Sequence, residues 1–401
     1  MGSFRLACFA LVTSLLFSTQ SKCLILDNSP PSDSLIANLP VLASLFPASR
    51  VYGFLNDSSG DGSAKSLLRW DRSAPETTVR VDWTTGPSDI QAAAVVNGII
   101  FVAEAPDPGT DDLWISRDGG LSWETQDSPT ANEASNISFI LDCGGALVIA
   151  QANLAYNQSG SQPGYISRDG GASWSEFRAG FGPSLGGSGN IAIKAMSCDG
   201  SFLYVASSDA STMVQRASLD NLTSWAGTST SPGVVYSDYS AITATDTGFA
   251  GLAQDDLNTT GCDVNASQNG VSTVQRSGGM PNSSYGCAGS VDFGPAGNQS
   301  LLFAAEADFI NQKCYVYRFP TVSTDPSAAT IVEGNCSGVT SLSTMRAILA
   351  TNQGIYTTFA GGPPTNTGML YSADGGLSFK VLDISSVWTD SGYVIDLEES
   401  P

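Results

Sequence analysis

Short apolar runs broken by glycine-rich turns recur along the chain. Ser138–Ala152, SFILDCGGALVIAQA, holds two such runs hinged on Cys143-Gly144-Gly145. Gly164–Phe177, GYISRDGGASWSEF, adds a second hairpin. The pair returns as Ile191–Ser208 with Met213–Trp225, and again as Ser341–Phe359 with Gly368–Leu382. Alternating, β-rich runs bounded by Gly, Asn and Asp predict strands. No long 3.6-residue apolar period follows the first two dozen residues, so no long helix is expected. Each unit therefore reads as four short strands.

The hairpins carry a repeated nonapeptide: ISRDGGLSW at Ile115–Trp123, ISRDGGASW at Ile166–Trp174 and YSADGGLSF at Tyr371–Phe379. A worn copy, ASLDNLTSW, places Ser218, Asp220 and Trp225 in register, with Leu222 where the others have glycine. Asp118, Asp169 and Asp220 stand 51 residues apart, and Asp374 follows after 154, close to three more steps. Eroded units are expected near residues 271 and 322, and one before the first copy near 67. Four strands in each of seven units of this length predict an all-β, seven-bladed β-propeller of four-stranded antiparallel blades, six blades being the alternative count.

Ser-x-Asp-x-Gly-x-x-Trp/Phe resembles the Asp-box (BNR) repeat of the sialidase and sortilin-like superfamily. Full matches are Ser116, Asp118, Gly120, Trp123; Ser167, Asp169, Gly171, Trp174; and Ser372, Asp374, Gly376, Phe379. The resemblance implies the fold. It does not imply one chemistry, because proteins with this repeat differ in function. The turn has a mechanical explanation. Paired glycines tolerate positive φ, and a short Asp side chain accepts hydrogen bonds from its own turn. The aromatic residue buries apolar area between neighbouring blades. Such clasps, one per blade, lie around the rim and cannot converge on one substrate.

With strands A to D running from hub to rim, A–B and C–D turns share a first face, and B–C and D–A connections share a second. The boxes are C–D turns. In sialidases the substrate site occupies the second face. The long stretches Ala105–Asp112, Asn153–Gly164, Gln254–Gly270 and Ala360–Gly368 read as B–C loops on that face, where a rigid scaffold usually carries binding residues. Sialidases grip a carboxylate with three arginines beside a Tyr–Glu pair and an Asp. Here Arg117 and Arg168 sit in boxes, Arg346 reads as an A–B turn residue, and Arg276 and Arg318 lie near C–D turns. Arg50 and Arg178, with Arg80, are the second-face candidates. A carboxylate-pair glycosidase has Glu104, Asp107, Asp111, Asp112, Asp255, Asp256, Asp263 and Glu306 to draw on. The expected function is binding of a glycan or protein ligand without catalysis, with a sialidase-like or other carboxylate-pair glycoside hydrolase as the alternative.

Composition narrows this further. Arg5 followed by the apolar run Leu6–Phe17 and small residues reads as a secretory signal peptide, too short for a membrane span. The expected organisation is 1–23 signal peptide, 24–50 N-terminal leader or ring-closing strand, and 51–401 propeller. Six cysteines remain after residue 23. Parity and neighbourhood pair Cys143 with Cys198, Cys262 with Cys287 and Cys314 with Cys336, one of fifteen possible sets. Cys262 and Cys314 read as B–C loop residues. Sequons at Asn56, Asn136, Asn157, Asn221, Asn258, Asn265, Asn282, Asn298 and Asn335 fit a secreted glycoprotein. Against 38 Asp plus Glu stand 17 Lys plus Arg, a balance that repels nucleic acid and anionic membranes. Histidine is absent, which removes His bases and His-ligated metals. No cofactor, metal, nucleic acid or stable membrane insertion is expected, and the propeller is expected to be a monomer with an extracellular ligand.

Overall fold

The chain forms seven four-stranded antiparallel sheets. The computed structural model describes residues 50–400 except for the stretches 57–64, 105–111, 130–136, 152–163, 179–192, 208–213, 228–235, 256–261, 268–274, 280–288, 320–328, 337–341, 362–366 and 388–392 and a few shorter gaps. Blade 1 joins β1 (Arg50–Asn56), β2 (Ser66–Asp71) and β3 (Ala74–Asp82) to β28 (Tyr393–Ser400), in the order β28-β1-β2-β3. Blade 2 is β4 (Ile90–Val96), β5 (Ile99–Glu104), β6 (Asp112–Ser116) and β7 (Glu124–Asp127). Blade 3 is β8 (Ile137–Cys143), β9 (Ala146–Gln151), β10 (Gly164–Ser167) and β11 (Ser175–Phe177). Blade 4 is β12 (Ile193–Cys198), β13 (Phe202–Ser207), β14 (Val214–Ser218) and β15 (Asn221–Gly227). Blade 5 is β16 (Tyr236–Ala244), β17 (Phe249–Asp255), β18 (Cys262–Ser267) and β19 (Gln275–Gly279). Blade 6 is β20 (Gly289–Ala296), β21 (Gln299–Asp308), β22 (Lys313–Phe319) and β23 (Thr330–Gly334). Blade 7 is β24 (Leu342–Thr351), β25 (Gly354–Gly361), β26 (Thr367–Ser372) and β27 (Lys380–Leu382).

The innermost strands touch in sequence around a closed circle, β4 to β8 to β12 to β16 to β20 to β24 to β28 and back to β4. The protein is therefore a seven-bladed β-propeller. Period-2 alternation explains its packing. Along β5, Ile100 and Val102 enter the seam with blade 1, while Phe101 and Ala103 enter the seam with blade 3. A strand buried on both faces reads as a continuous apolar run, and IIFVAE is one. The same rule gives seven apolar cores, one in each seam, rather than a single central core. The ring is closed by β28 pairing with β1 over Arg50–Asn56. Residues 24–49, expected as a leader or closing strand, lie outside the described residues.

One segment departs from expectation. Gln254–Gly270 is not a single loop, because β18 runs through it and carries Cys262 as its first residue. Cys314 likewise stands inside β22. The alternation in β18 is inverted in character: Val264 and Ala266 fill one seam, while Asp263, Asn265 and Ser267 point the other way, 1%, 0% and 0% exposed. Polar residues on a buried face make a strand look like a loop. Asn265, expected as a glycan acceptor, lies in this strand and is buried.

Candidate functional site

The first face is organised by the clasps. Asp118 Oδ1 accepts from the Leu121 and Ser122 N–H groups at 3.0 and 2.9 Å, and its Oδ2 from the Ser122 hydroxyl at 2.5 Å. Ser116 Oγ donates to Asp118 and accepts from Gly120 N–H. The same network recurs at Asp169 and Asp374. Hydrogen bonds from Ser173 and Ser167 hold the Asp169 carboxyl down at about 2. At Asp374 burial pushes upward, but the Ser378 and Ser372 bonds prevail and give about 2. Trp123 packs on Trp83 of blade 1, with ring centroids 5.0 Å apart. Trp174 and Phe379 pack on the seam of the preceding blade. The worn copy works differently. Ser218 pairs with Asn221 in a tighter hairpin, and Asn221 rather than Asp220 accepts from Thr223.

Side chains also tie neighbouring C–D turns. Arg69 of blade 1 donates to Gly119 O at 3.2 Å, Gln126 of blade 2 to Gly171 O, and Arg168 of blade 3 to Leu219 O. Arg117 pairs with Glu124, Arg72 with Glu399, Arg80 with Asp82 and Arg178 with Glu176. Arg216 stacks on Phe202. Arg50 belongs to the first face, not the second: it opens a B strand and lies beside Gly119. Arg346 also moves. It is a mid-strand residue of β24, not a turn residue, and it lines the central channel. It lies within a register irregularity of the β24–β25 ladder between Met345 and Ile348. Arg276 lies in β19, where its side chain is not described.

The channel is a cavity of about 500 Å³ lined by all seven innermost strands. Asp142, Asp292, Asp396, Glu398 and Arg346 project into its walls. The innermost strand of each sheet is an edge, so its outer N–H groups need acceptors. Side chains of adjacent blades supply several: Ser197 accepts from Ala244 N–H at 2.8 Å, Asp292 from Ala350 N–H at 2.7 Å, and Glu398 from Val95 N–H. Partial loss of hydration disfavours charge at the half-buried Asp292, Asp396 and Glu398, while Asp142 and Arg346 keep exposed surface. Loss of hydration raises Asp292 to about 6 against the pull of the Ala350, Phe293 and Thr243 bonds. Burial raises Asp142, Asp396 and Glu398 too, and neighbouring carboxylates add to the rise at Asp396 and Glu398.

None of these four acids was among the sequence candidates. Of those candidates, Asp107, Asp111 and Asp256 lie outside the described residues, and the side chains of Asp112 and Asp255 are not described. Glu104 accepts from Ser88 and from Trp114 Nε1, so it anchors a connection. Asp263 is buried in a seam. Glu306 is 1% exposed beside Tyr317 Oη, and burial, with Asp308 nearby, lifts it to about 8. The signal for the channel acids was position: Asp142 immediately precedes the Cys143-Gly-Gly turn, on the strand that lines the hub.

Cys143 and Cys198 are bonded across the first-face turns of blades 3 and 4, and Cys314 is bonded to Cys336 within blade 6. The side chain of Cys262 is not described, and Cys287 lies outside the described residues. The same holds for sequons Asn136, Asn157, Asn258, Asn282 and Asn298 and for the Asn56 side chain, while Asn221 and Asn335 are exposed. Among the described residues, no group of His, Cys, Asp and Glu is arranged to hold a metal ion, and no helix is long and apolar enough to cross a membrane.

A family model described as BNR/Asp-box repeat matches residues 165–176, the clasp of blade 3. No characterised protein sequence matches the chain. Among solved structures, a provisionally assigned 6-phosphogluconolactonase of Bacteroides fragilis is similar with TM-score 0.54 and 10% identity, over 88% of this chain and 98% of that one. The GH74 xyloglucanase of Xanthomonas campestris gives 0.53 and 16%, over 82% of this chain and 54% of that one, so the match spans about half of the enzyme. YCF48 bound to D1 peptide gives 0.46 and 15%, over 74% and 82%. At such identities the likeness is one of fold.

Proposed function

We propose that the protein is a secreted, glycosylated recognition propeller that binds a glycan or an extracellular protein on its second face without transforming it. The observation that supports this most is the employment of the arginines. Arg69, Arg72, Arg117 and Arg168 are engaged at the rim or in seams. Arg346 is the arginine of the channel lining. A three-arginine grip on a carboxylate has no counterpart among the described residues. The disulfides suit an oxidising compartment. The test is a glycan array and an extracellular-protein panel probed with the purified protein, run beside hydrolysis assays on fluorogenic glycosides. Saturable binding without turnover is expected; turnover with no retained ligand would overturn the reading.

One observation favours the second reading, a glycoside hydrolase. Carboxyls whose titration is lifted toward neutrality, as burial lifts Asp292 to about 6, suit a general acid. Assays should therefore include xyloglucan and sialosides, with Asp292→Asn and Asp396→Asn as controls. Turnover abolished by either substitution would transfer the assignment to this class.

A further inference from the structure

We propose that closure of the ring is pH-sensitive, the closing strand β28 being held shut while the channel carboxyls are protonated and loosened when they ionise together. The geometry concentrates like charges on this one strand. Asp396 and Glu398 lie two residues apart on β28 and both line the channel. Glu398 interacts electrostatically with Asp396, Asp142 and Asp292, and Asp396 with Asp292. On the paired strand β1, Tyr52 stands opposite Glu398 and Arg50 opposite Ser400. Across the channel, Asp142 on β8, Asp292 on β20 and Arg346 on β24 face β28. The described lining residues of β4, β12 and β16 are not titratable: Gln91 and Ala92, Met196, Ser197 and disulfide-bonded Cys198, and Ile242, Thr243 and Ala244. On β28 itself Glu399 is paired with Arg72. In the channel lining one guanidinium therefore accompanies four carboxyls; Asp292, Asp396 and Glu398 are half-buried while Asp142 and Arg346 are exposed, and full ionisation leaves like charges gathered around one hub.

What would yield is also set by the fold. β28 is joined to β1 by one ladder, with an irregularity between Phe54 and Leu55. Its other edge faces the channel. The other innermost strands continue directly into their blades through short turns, whereas β28 meets its blade only by pairing. Repulsion across the hub is relieved most readily by moving the strand that no turn anchors to its neighbour.

Raised carboxyls give a definite sign. The folded state holds more protons than the unfolded state from about the ordinary carboxyl range upward to neutrality, so attachment of β28 weakens as pH rises through that window. Hydrogen exchange of the Tyr393–Ser400 amides in the full chain, corrected for intrinsic rates, tests this at pH 5 and pH 8. Protection of β28 relative to β13 is expected to fall about tenfold or more at pH 8, and Asp396→Asn/Glu398→Gln is expected to remove that fall. Equal relative protection at both pH values would overturn the proposal, as would a fall that survives the double substitution. Should that variant fail to fold, Asp292→Asn gives the same readout on a strand anchored by its own turn. Added salt, which screens the repulsion, is expected to restore protection of the unmodified protein at pH 8; no restoration would count against it.

Discussion

Gly170 and Gly376 lie in equivalent clasps but bear different loads. Gly170 has φ +70° and open space where a Cβ would stand. Gly376 has φ +81°, and a Cβ there would come within 2.7 Å of Phe303 and 3.2 Å of Ile355 in the adjoining seam. Gly170→Ala should cost only backbone strain, about 1 kcal/mol. Gly376→Ala adds overpacking against blade 6, for a total of roughly 2–4 kcal/mol. Urea unfolding midpoints compare the two, and equal losses would mean that the clasp does not press on its neighbour. The aspartate of the same clasp predicts a pH effect of opposite sign to that of the channel. Asp374 is held at about 2 against an ordinary 3.8, so its contribution is present above the ordinary value and is lost as pH falls through about 2. Asp374→Asn should be destabilised at pH 6, with the gap to the parent closing by pH 2. At this scale the sequence was informative, because turn chemistry is local: Ser, Asp and two glycines within nine residues define their own hydrogen bonds.

Elements were legible where alternation had its usual character. The pairs β8–β9 and β12–β13 show apolar runs around glycine turns, and both lie where the repeats predict. Parity failed where a strand end or a face was misjudged. β18 hides behind Asp263, Asn265 and Ser267, whose burial depends on the neighbouring blade and not on their own segment. Arg346 was read into a turn because β24 runs to Thr351, longer than the hub strands of blades 3 and 4. Arg50 was misplaced because the first described strand is a B strand, a fact that only β28 supplies. The two disulfides differ as elements as well. Cys143–Cys198 joins separate blades across 55 residues, whereas Cys314–Cys336 spans 22 residues within one blade already paired from Cys314 to Gly334. Loop-closure entropy assigns about 4 kcal/mol to the first and about 3 to the second, and the ladder around the second lowers its effect further. Replacing Cys143 and Cys198 together by Ala should therefore reduce thermal stability more than the same change at Cys314 and Cys336. The reverse order would show that the seam of blades 3 and 4 holds without its bridge.

The channel exists only in the whole molecule. Asp142 and Glu398 are 256 residues apart in the chain, and nothing near either of them signals the other; the closed circle of innermost strands brings them together. That is why the channel acids were not legible in the sequence, while the blade count was. The same circle sets the stability of the protein against pH. The clasp aspartates, held low, favour the fold above their ordinary values. The channel carboxyls, held high, favour it below theirs and withdraw that support as pH climbs from the ordinary carboxyl range through about 6 at Asp292. A formal charge of −21 at pH 7 adds self-repulsion in the same direction. Both slopes point to a maximum in mild acid, near pH 4–5 and below the usual range of about 5–8. Thermal melts from pH 2 to 9 at constant ionic strength should show the melting temperature rising to that maximum and declining toward pH 8. Raising the salt should recover more of the loss at pH 8 than at pH 5, because screening acts on ionised groups. A melting temperature that climbed steadily to pH 8 would mean that the hub carboxyls ionise in the fold without penalty, and that the ring tolerates their charge.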